Sequence, residues 1–161
     1  MTTLSLNAVT FVRRDPDWIF RELHDPETLL NCVPGATLTK LGGRGSFEAR
    51  IALGLGPFKS EYKGRGRIVA SDPRARTASL DISGDPSANL ATVRVHMTMA
   101  IAERSGGSEI DMSFDIALSE RAWLLANRWL DPIACDLLDR TTRRLKQQLE
   151  EAPVIPLPPA A

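Results

Sequence analysis

A chain of 161 residues, 43% of them hydrophobic, is the size of one domain with a sizeable core. Twenty Lys and Arg balance twenty Asp and Glu, so the formal net charge is zero. That balance argues against nucleic acid as the main partner, because phosphate binding needs a net positive field. No apolar run approaches the roughly 18–20 residues that span a bilayer. The first seven residues lack the basic and apolar regions of a secretory signal, so a cytoplasmic protein is expected. The two cysteines, Cys32 and Cys135, allow one disulfide at most and have no metal-site spacing. Each reads as a small buried hydrophobe.

Residues 4–12, with Leu4, Leu6, Val9, Phe11 and Val12, predict a first strand. Asp15-Pro16 then opens a short helix, with Asp15 as cap and Pro16 at the first helical position, where its missing N–H costs nothing. Asp25-Pro26 repeats the signal for a second short helix carrying Leu29, Leu30 and Val33, and Pro34-Gly35 stops it. Strands follow. Phe47, Ala49, Ile51 and Leu53 alternate with polar neighbours. Phe58, Ser60, Tyr62, Gly64, Gly66 and Ile68 alternate with Lys59, Glu61, Lys63, Arg65 and Arg67, which places the first set inside and the charged set outside. Ala78, Leu80 and Ile82 face inward next, and Gly84-Asp85-Pro86 reads as a turn. Val93, Val95, Met97, Met99 and Ile101 form the apolar face of a further strand, as do Ile110, Met112, Phe114, Ile116 and Leu118. Antiparallel hairpins with one wet face account for this pattern.

From Glu120 to about Glu150 the period becomes helical: Ala122, Ala126, Trp129 or Leu130, Ile133, Leu137, Thr141, Leu145 and Gln148 or Leu149 recur every three or four residues. Pro132 is expected to kink or divide that helix, with Asp131 as a new cap. Residues 151–161 form a Pro-rich tail, expected to be disordered, behind a single domain over residues 1–150. Strand, two short helices, six strands and one long helix make an α+β order. A curved antiparallel sheet gripping a long helix encloses space, and the small inward residues Ala49, Gly64, Gly66 and Ala78 leave that space unfilled. Met97, Met99 and Met112 are flexible enough to adapt to a guest.

Several blocks carry a family resemblance: Trp18 to Glu27, Cys32-Val33-Pro34-Gly35, Gly56-Pro57-Phe58-Lys59, Gly64-Arg65-Gly66 and Asp131-Pro132-Ile133-Ala134. Together, over about Leu4 to Leu149, the chain resembles the CoxG family of carbon monoxide dehydrogenase, a branch of the START-like (SRPBCC) helix-grip superfamily. The resemblance implies a helix-grip fold of about seven strands. It also implies an accessory role beside a molybdenum hydroxylase of the carbon monoxide dehydrogenase type, in maturation or in recruitment to the inner face of the cell membrane. The superfamily binds lipids, isoprenoids, polyketides and other hydrophobic molecules. The chain departs from longer members, which continue through a Pro/Ala-rich linker to a membrane-binding segment. It also has Thr141-Thr142 where an aromatic pair is common, and Ala126 where a glycine is expected.

The expected function is therefore non-enzymatic binding of a hydrophobic small molecule such as a quinone, isoprenoid or lipid. The cavity is expected to be lined by Phe47, Ile51, Tyr62, Leu80 and Met97 from the earlier strands and by Met112 and Phe114 from the last. Trp123 and Leu130 complete it from the helix, with Gly64 and Gly66 leaving room. Tyr62, the only tyrosine, and Ser60 are the polar groups on that face, and Trp123 and Trp129 sit at its expected mouth. Their plainer reading is ordinary core packing. His24 and His96 have no predictable partner, so no catalytic residue, metal site or cofactor is assigned. The basic stripe Lys59, Lys63, Arg65 and Arg67 suits an acidic partner or anionic head groups, or else a solvated face paired with Glu48 and Glu61. Two alternatives stand beside the binding reading: a polyketide cyclase or dehydratase-like enzyme on the same fold, and a docking module with a packed interior.

Overall fold

Strict alternation decides the architecture. The computed structural model describes residues 2–55, 58–86, 93–120, 123–124 and 130–153, of which 53–55, 58–60, 85–86 and 130–131 are described as backbone only. Among these residues seven strands form one antiparallel sheet: β1 (Thr2–Val12), β2 (Ala36–Leu41), β3 (Ser46–Leu55), β4 (Phe58–Asp72), β5 (Thr77–Pro86), β6 (Val93–Arg104) and β7 (Gly107–Leu118). The spatial order is β1-β7-β6-β5-β4-β3-β2. Two short helices, α1 (Pro16–Glu22) and α2 (Pro26–Cys32), follow β1, and α3 (Leu130–Glu151) closes the chain. This is the helix-grip arrangement expected from the sequence. The strand β2 is an addition: its short Ala36/Leu38 alternation is too brief to place from sequence.

Both Asp-Pro helix starts behave as expected. The Asp15 carboxylate accepts from the N–H groups of Asp17 and Trp18 at 3.1 Å each, and Asp25 accepts from Glu27 N–H at 3.0 Å. Asp72 holds its turn in the same way, through Arg74 N–H at 3.0 Å. Gly35 adopts φ +80°, and a side chain there would press on the Ala52 carbonyl, so this stop between α2 and β2 requires glycine. Pro132 lies in the first turn of α3, where no intrahelical partner is lost. Asp131 lies beside it within α3, and the residues before Leu130 that would decide the cap lie outside the described residues. Trp123 is helical too, with its N–H on the Ser119 carbonyl at 3.0 Å.

Register aligns the inward residues into rows across the sheet. One row runs Leu6–Phe114–Met97–Leu80–Ile68. The next runs Leu4–Ile116–Val95–Ile82–Gly66–Phe47, and a third runs Thr2–Leu118–Val93–Gly84–Gly64–Ala49. Helix α3 lies against β1 and α2, and α1 packs on β6. Val9 and Phe11 of β1, both apolar, point outward at 52% and 37% exposure; Leu4, Leu6 and Val12 supply the inner face.

One end of this interior is sealed. Val12, Ile19 and Ile110 have no exposed surface, and Leu23, Met112, Leu145 and Leu149 are almost as deep. Arg14 clamps the end of α3 there. Its Nε donates to the Leu149 carbonyl at 3.0 Å, and its Nη2 donates to the carbonyls of Glu150 at 2.5 Å and Ala152 at 2.9 Å. These are carbonyls that a helix end leaves without partners. The guanidinium also lies over the Trp18 ring, 5.6 Å from its centroid.

Candidate functional site: the open half of the inner face

The interior changes character along the strands. Leu80, Met97, Met99 and Met112 are buried, but Leu4, Ile82, Val93, Val95 and Ile116, further along the same face, are only half-buried. Ile51 and Tyr62 continue that half-buried region at the edge formed by β3 and β4. Apolar side chains on a core-facing surface that remain reachable by solvent mark a binding surface in a fold of this kind.

The glycines set the shape of this region. A Cβ built on Gly66 would overlap the Phe47 ring, so the room left by Gly66 is taken by Phe47, which is itself buried. Gly64 is different. A Cβ there would meet nothing closer than the Ser83 carbonyl at 3.5 Å. Gly84, its direct partner across β4 and β5, is equally open, with the nearest atom at 3.9 Å. Ala49 lies on the other side of Gly64. Ala49, Gly64 and Gly84 therefore form a low floor of nearly bare backbone at the open end.

The expected lining residues divide accordingly. Phe47, Leu80, Met97 and Met112 belong to the buried part of the inner face. Ile51, Tyr62, Gly64 and Phe114 belong to the half-buried part, and Trp123 is half-buried as well. The Leu130 side chain lies outside the described residues, as do those of Ser60 and Trp129. Among the described residues, none hydrogen-bonds the Tyr62 hydroxyl. Gly84 is a floor residue that sequence reasoning missed. The Gly84-Asp85-Pro86 run reads as a turn, but all three residues belong to β5.

The remaining chemistry-bearing side chains have structural roles. His24 bridges the Phe20 carbonyl at 2.6 Å and the Ser71 hydroxyl at 2.9 Å, and its ring packs on Phe20. His96 lies on the outer face, with Nδ1 at 2.5 Å from Asp81 Oδ1, a pairing between residues fifteen apart that strand register creates. Cys32 is buried, and its thiol faces the Thr28 carbonyl and Gln148 Oε1, each at 3.2 Å. Burial pushes that thiol up to about 11, against a smaller opposing pull from Arg144. Cys135 corrects the expectation for both cysteines: it is exposed, because it falls on the solvent side of α3. Both thiols are free. Among the described residues, no cluster of His, Cys, Asp or Glu is arranged to hold a metal ion. No helix there is long and apolar enough to cross a membrane.

Known proteins with the same architecture fit this geometry. The family model for CoxG, the G component of carbon monoxide dehydrogenase, matches residues 10–150. The chain belongs to the CoxG family. As a CoxG family member it shares its fold with proteins of very different sequence. A conserved protein from Geobacillus kaustophilus superposes with a TM-score of 0.75 at 15% identity, covering 91% of this chain and 95% of that one. The Zhui aromatase/cyclase from Streptomyces superposes with a TM-score of 0.65 at 10% identity, covering 92% and 94%. A truncated norcoclaurine synthase from Thalictrum flavum gives 0.64 at 17% identity, covering 94% and 96%. At these identities the likeness establishes the helix-grip fold. No curated protein matches the chain significantly.

Proposed function

We propose that this CoxG family member binds a hydrophobic small molecule of the quinone, isoprenoid or lipid class between the open half of its sheet and α3. Its role is that of a non-enzymatic accessory to a molybdenum hydroxylase of the carbon monoxide dehydrogenase type, in maturation or in recruitment to the inner face of the cell membrane. One observation carries the reading: Ile82, Val95, Ile116, Ile51 and Tyr62 stay half-buried on the core face, above the open Ala49–Gly64–Gly84 floor. Burying that apolar area under a guest is favourable at roughly 25 cal/mol per Å². The adaptable Met97 and Met112 lie one step deeper. Tyr62 and Thr2 are the only polar side chains described in this half of the face, so orientation of a guest falls to the Tyr62 hydroxyl. Family membership supplies the hydroxylase context.

The test is uptake of an apolar fluorescent probe by the purified protein and by Gly64→Leu. A Cβ at this position makes only ordinary van der Waals contacts and the leucine covers the floor, so the variant is expected to fold with unchanged circular dichroism and lose probe binding. Probe binding equal to that of the parent would place the guest elsewhere.

A further inference from the structure

The outer face of the same sheet carries a second concavity, a trough of about 850 Å³ crossing β2 to β7. Phe47, Gly66, Ile82 and Val95 border it, but its charged side chains alternate with these inward residues along each strand and so stand on the side of the sheet opposite α3. Two ladder rows build it. In one, Arg65 of β4 and Arg94 of β6 flank Ser83 of β5 as direct cross-strand partners. In the next, Arg67 partners Asp81, which partners His96, which partners Asp115.

Lys40, Arg65, Arg67 and Arg94 share this trough with the carboxylates of Glu48, Asp81 and Asp115, a small excess of positive charge. Among the described residues, no acidic side chain pairs with Arg65, Arg67 or Arg94. Two nearby carboxylates are engaged elsewhere. Asp81 holds His96 at 2.5 Å, and Asp115 accepts from the Ser5 hydroxyl at 2.7 Å. Glu48, the cross-strand neighbour of Arg65, makes no ion pair with it. Three guanidiniums thus face one concave surface, with a serine hydroxyl between two of them. Neighbouring strands lie about 4.8 Å apart, which sets the Cα atoms of Arg65 and Arg94 about 10 Å apart across Ser83. Side chains of arginine length from both sides reach a common point above the hydroxyl. Planar guanidinium forks match tetrahedral oxyanions two oxygens at a time, which a point charge cannot do.

We propose that this trough is a second binding site, for a phosphoryl group, gripped by Arg65 and Arg94 with the Ser83 hydroxyl between them and Arg67 at its edge. The phosphoryl group is that of a phospholipid head or of a soluble phosphate ester. Either would bind with the apolar interior occupied or empty, because the sheet separates the two sites.

The test has two arms: calorimetric titration with inorganic pyrophosphate, and co-sedimentation with phosphatidylcholine vesicles doped with phosphatidylglycerol. Saturable binding of pyrophosphate alone assigns a soluble phosphate ester. Vesicle binding that pyrophosphate displaces assigns a lipid head group. In either arm the Arg65→Gln/Arg94→Gln variant is expected to bind about tenfold more weakly or worse, since charged hydrogen bonds are lost from both sides. Glu48→Gln should bind several-fold more tightly, and Arg143→Gln, on the exposed side of α3, should bind like the parent. All these positions are solvent-exposed, so folding is checked simply by circular dichroism. Absence of binding in both arms overturns the proposal. So does undiminished binding by the double variant, or vesicle binding that pyrophosphate leaves untouched.

Discussion

The two ends of the interior use the same strands to opposite effect. At the sealed end, Val12, Ile19 and Ile110 are fully buried, and Arg14 satisfies carbonyls at the end of α3. At the open end, Ile82, Val95 and Ile116 keep part of their surface exposed, and Gly64 and Gly84 leave the floor bare. Stability is therefore concentrated at one end, and the other keeps apolar surface exposed. A domain of this size tolerates the division because its buried cluster draws on α1, α2, α3 and most of the strands.

Truncations should separate the ends most strongly. Leu145→Ala, in the sealed cluster, is expected to cost about 3 kcal/mol in urea unfolding, from lost burial plus the cavity left behind. Ile82→Ala at the open end should cost less than about 2 kcal/mol, since its side chain is already partly solvated. Equal losses would remove the distinction between the ends. Arg14→Gln should follow at about 2 kcal/mol, as a charged donor to three carbonyls is removed from a partly buried site.

The two neighbouring glycines offer a finer comparison. Gly66→Ala must displace the Phe47 ring and is expected to destabilise by about 1–3 kcal/mol. Gly64→Ala makes only ordinary van der Waals contacts and should change stability by less than about 1 kcal/mol. Similar effects at both positions would mean that the floor is not open.

An effect confined to alkaline pH concerns Cys32. Its thiol retains its proton in the folded chain up to about pH 11, whereas the unfolded chain releases it near the ordinary thiol value of 9.0. Between those values the folded state binds more protons, so stability falls as pH rises, by up to about 1.4 kcal/mol per unit. Thermal melts across that window should show a steeper decline for the parent than for Cys32→Ala. Alkylation at neutral pH should label the exposed Cys135 first.

Much of this frame is legible in the residues themselves. Period-two alternation in β3 to β7 assigns the inner and outer faces, and Asp15-Pro16 and Asp25-Pro26 mark both short helices, because such signals are local. What depends on register is not legible. Gly64 and Gly66 look alike in sequence, and only the pairing of Phe47 with Gly66 fills one and leaves the other empty. The His96–Asp81 contact and the placement of Arg65 and Arg94 on either side of Ser83 arise in the same way. β2 escapes because a strand with two inward apolar residues carries too little periodicity to be distinguished from a loop. Cys135 is misread because average burial of a residue type says nothing about which side of a helix it occupies.

The most direct measurement is native mass spectrometry of the purified chain, paired with organic extraction of the same sample. The open inner face predicts an adduct of one apolar molecule per chain, recovered in the extract and absent from Gly64→Leu. A bare chain mass that stays bare after incubation with quinones, isoprenoids and lipids would contradict the binding account and leave the fold as a docking scaffold.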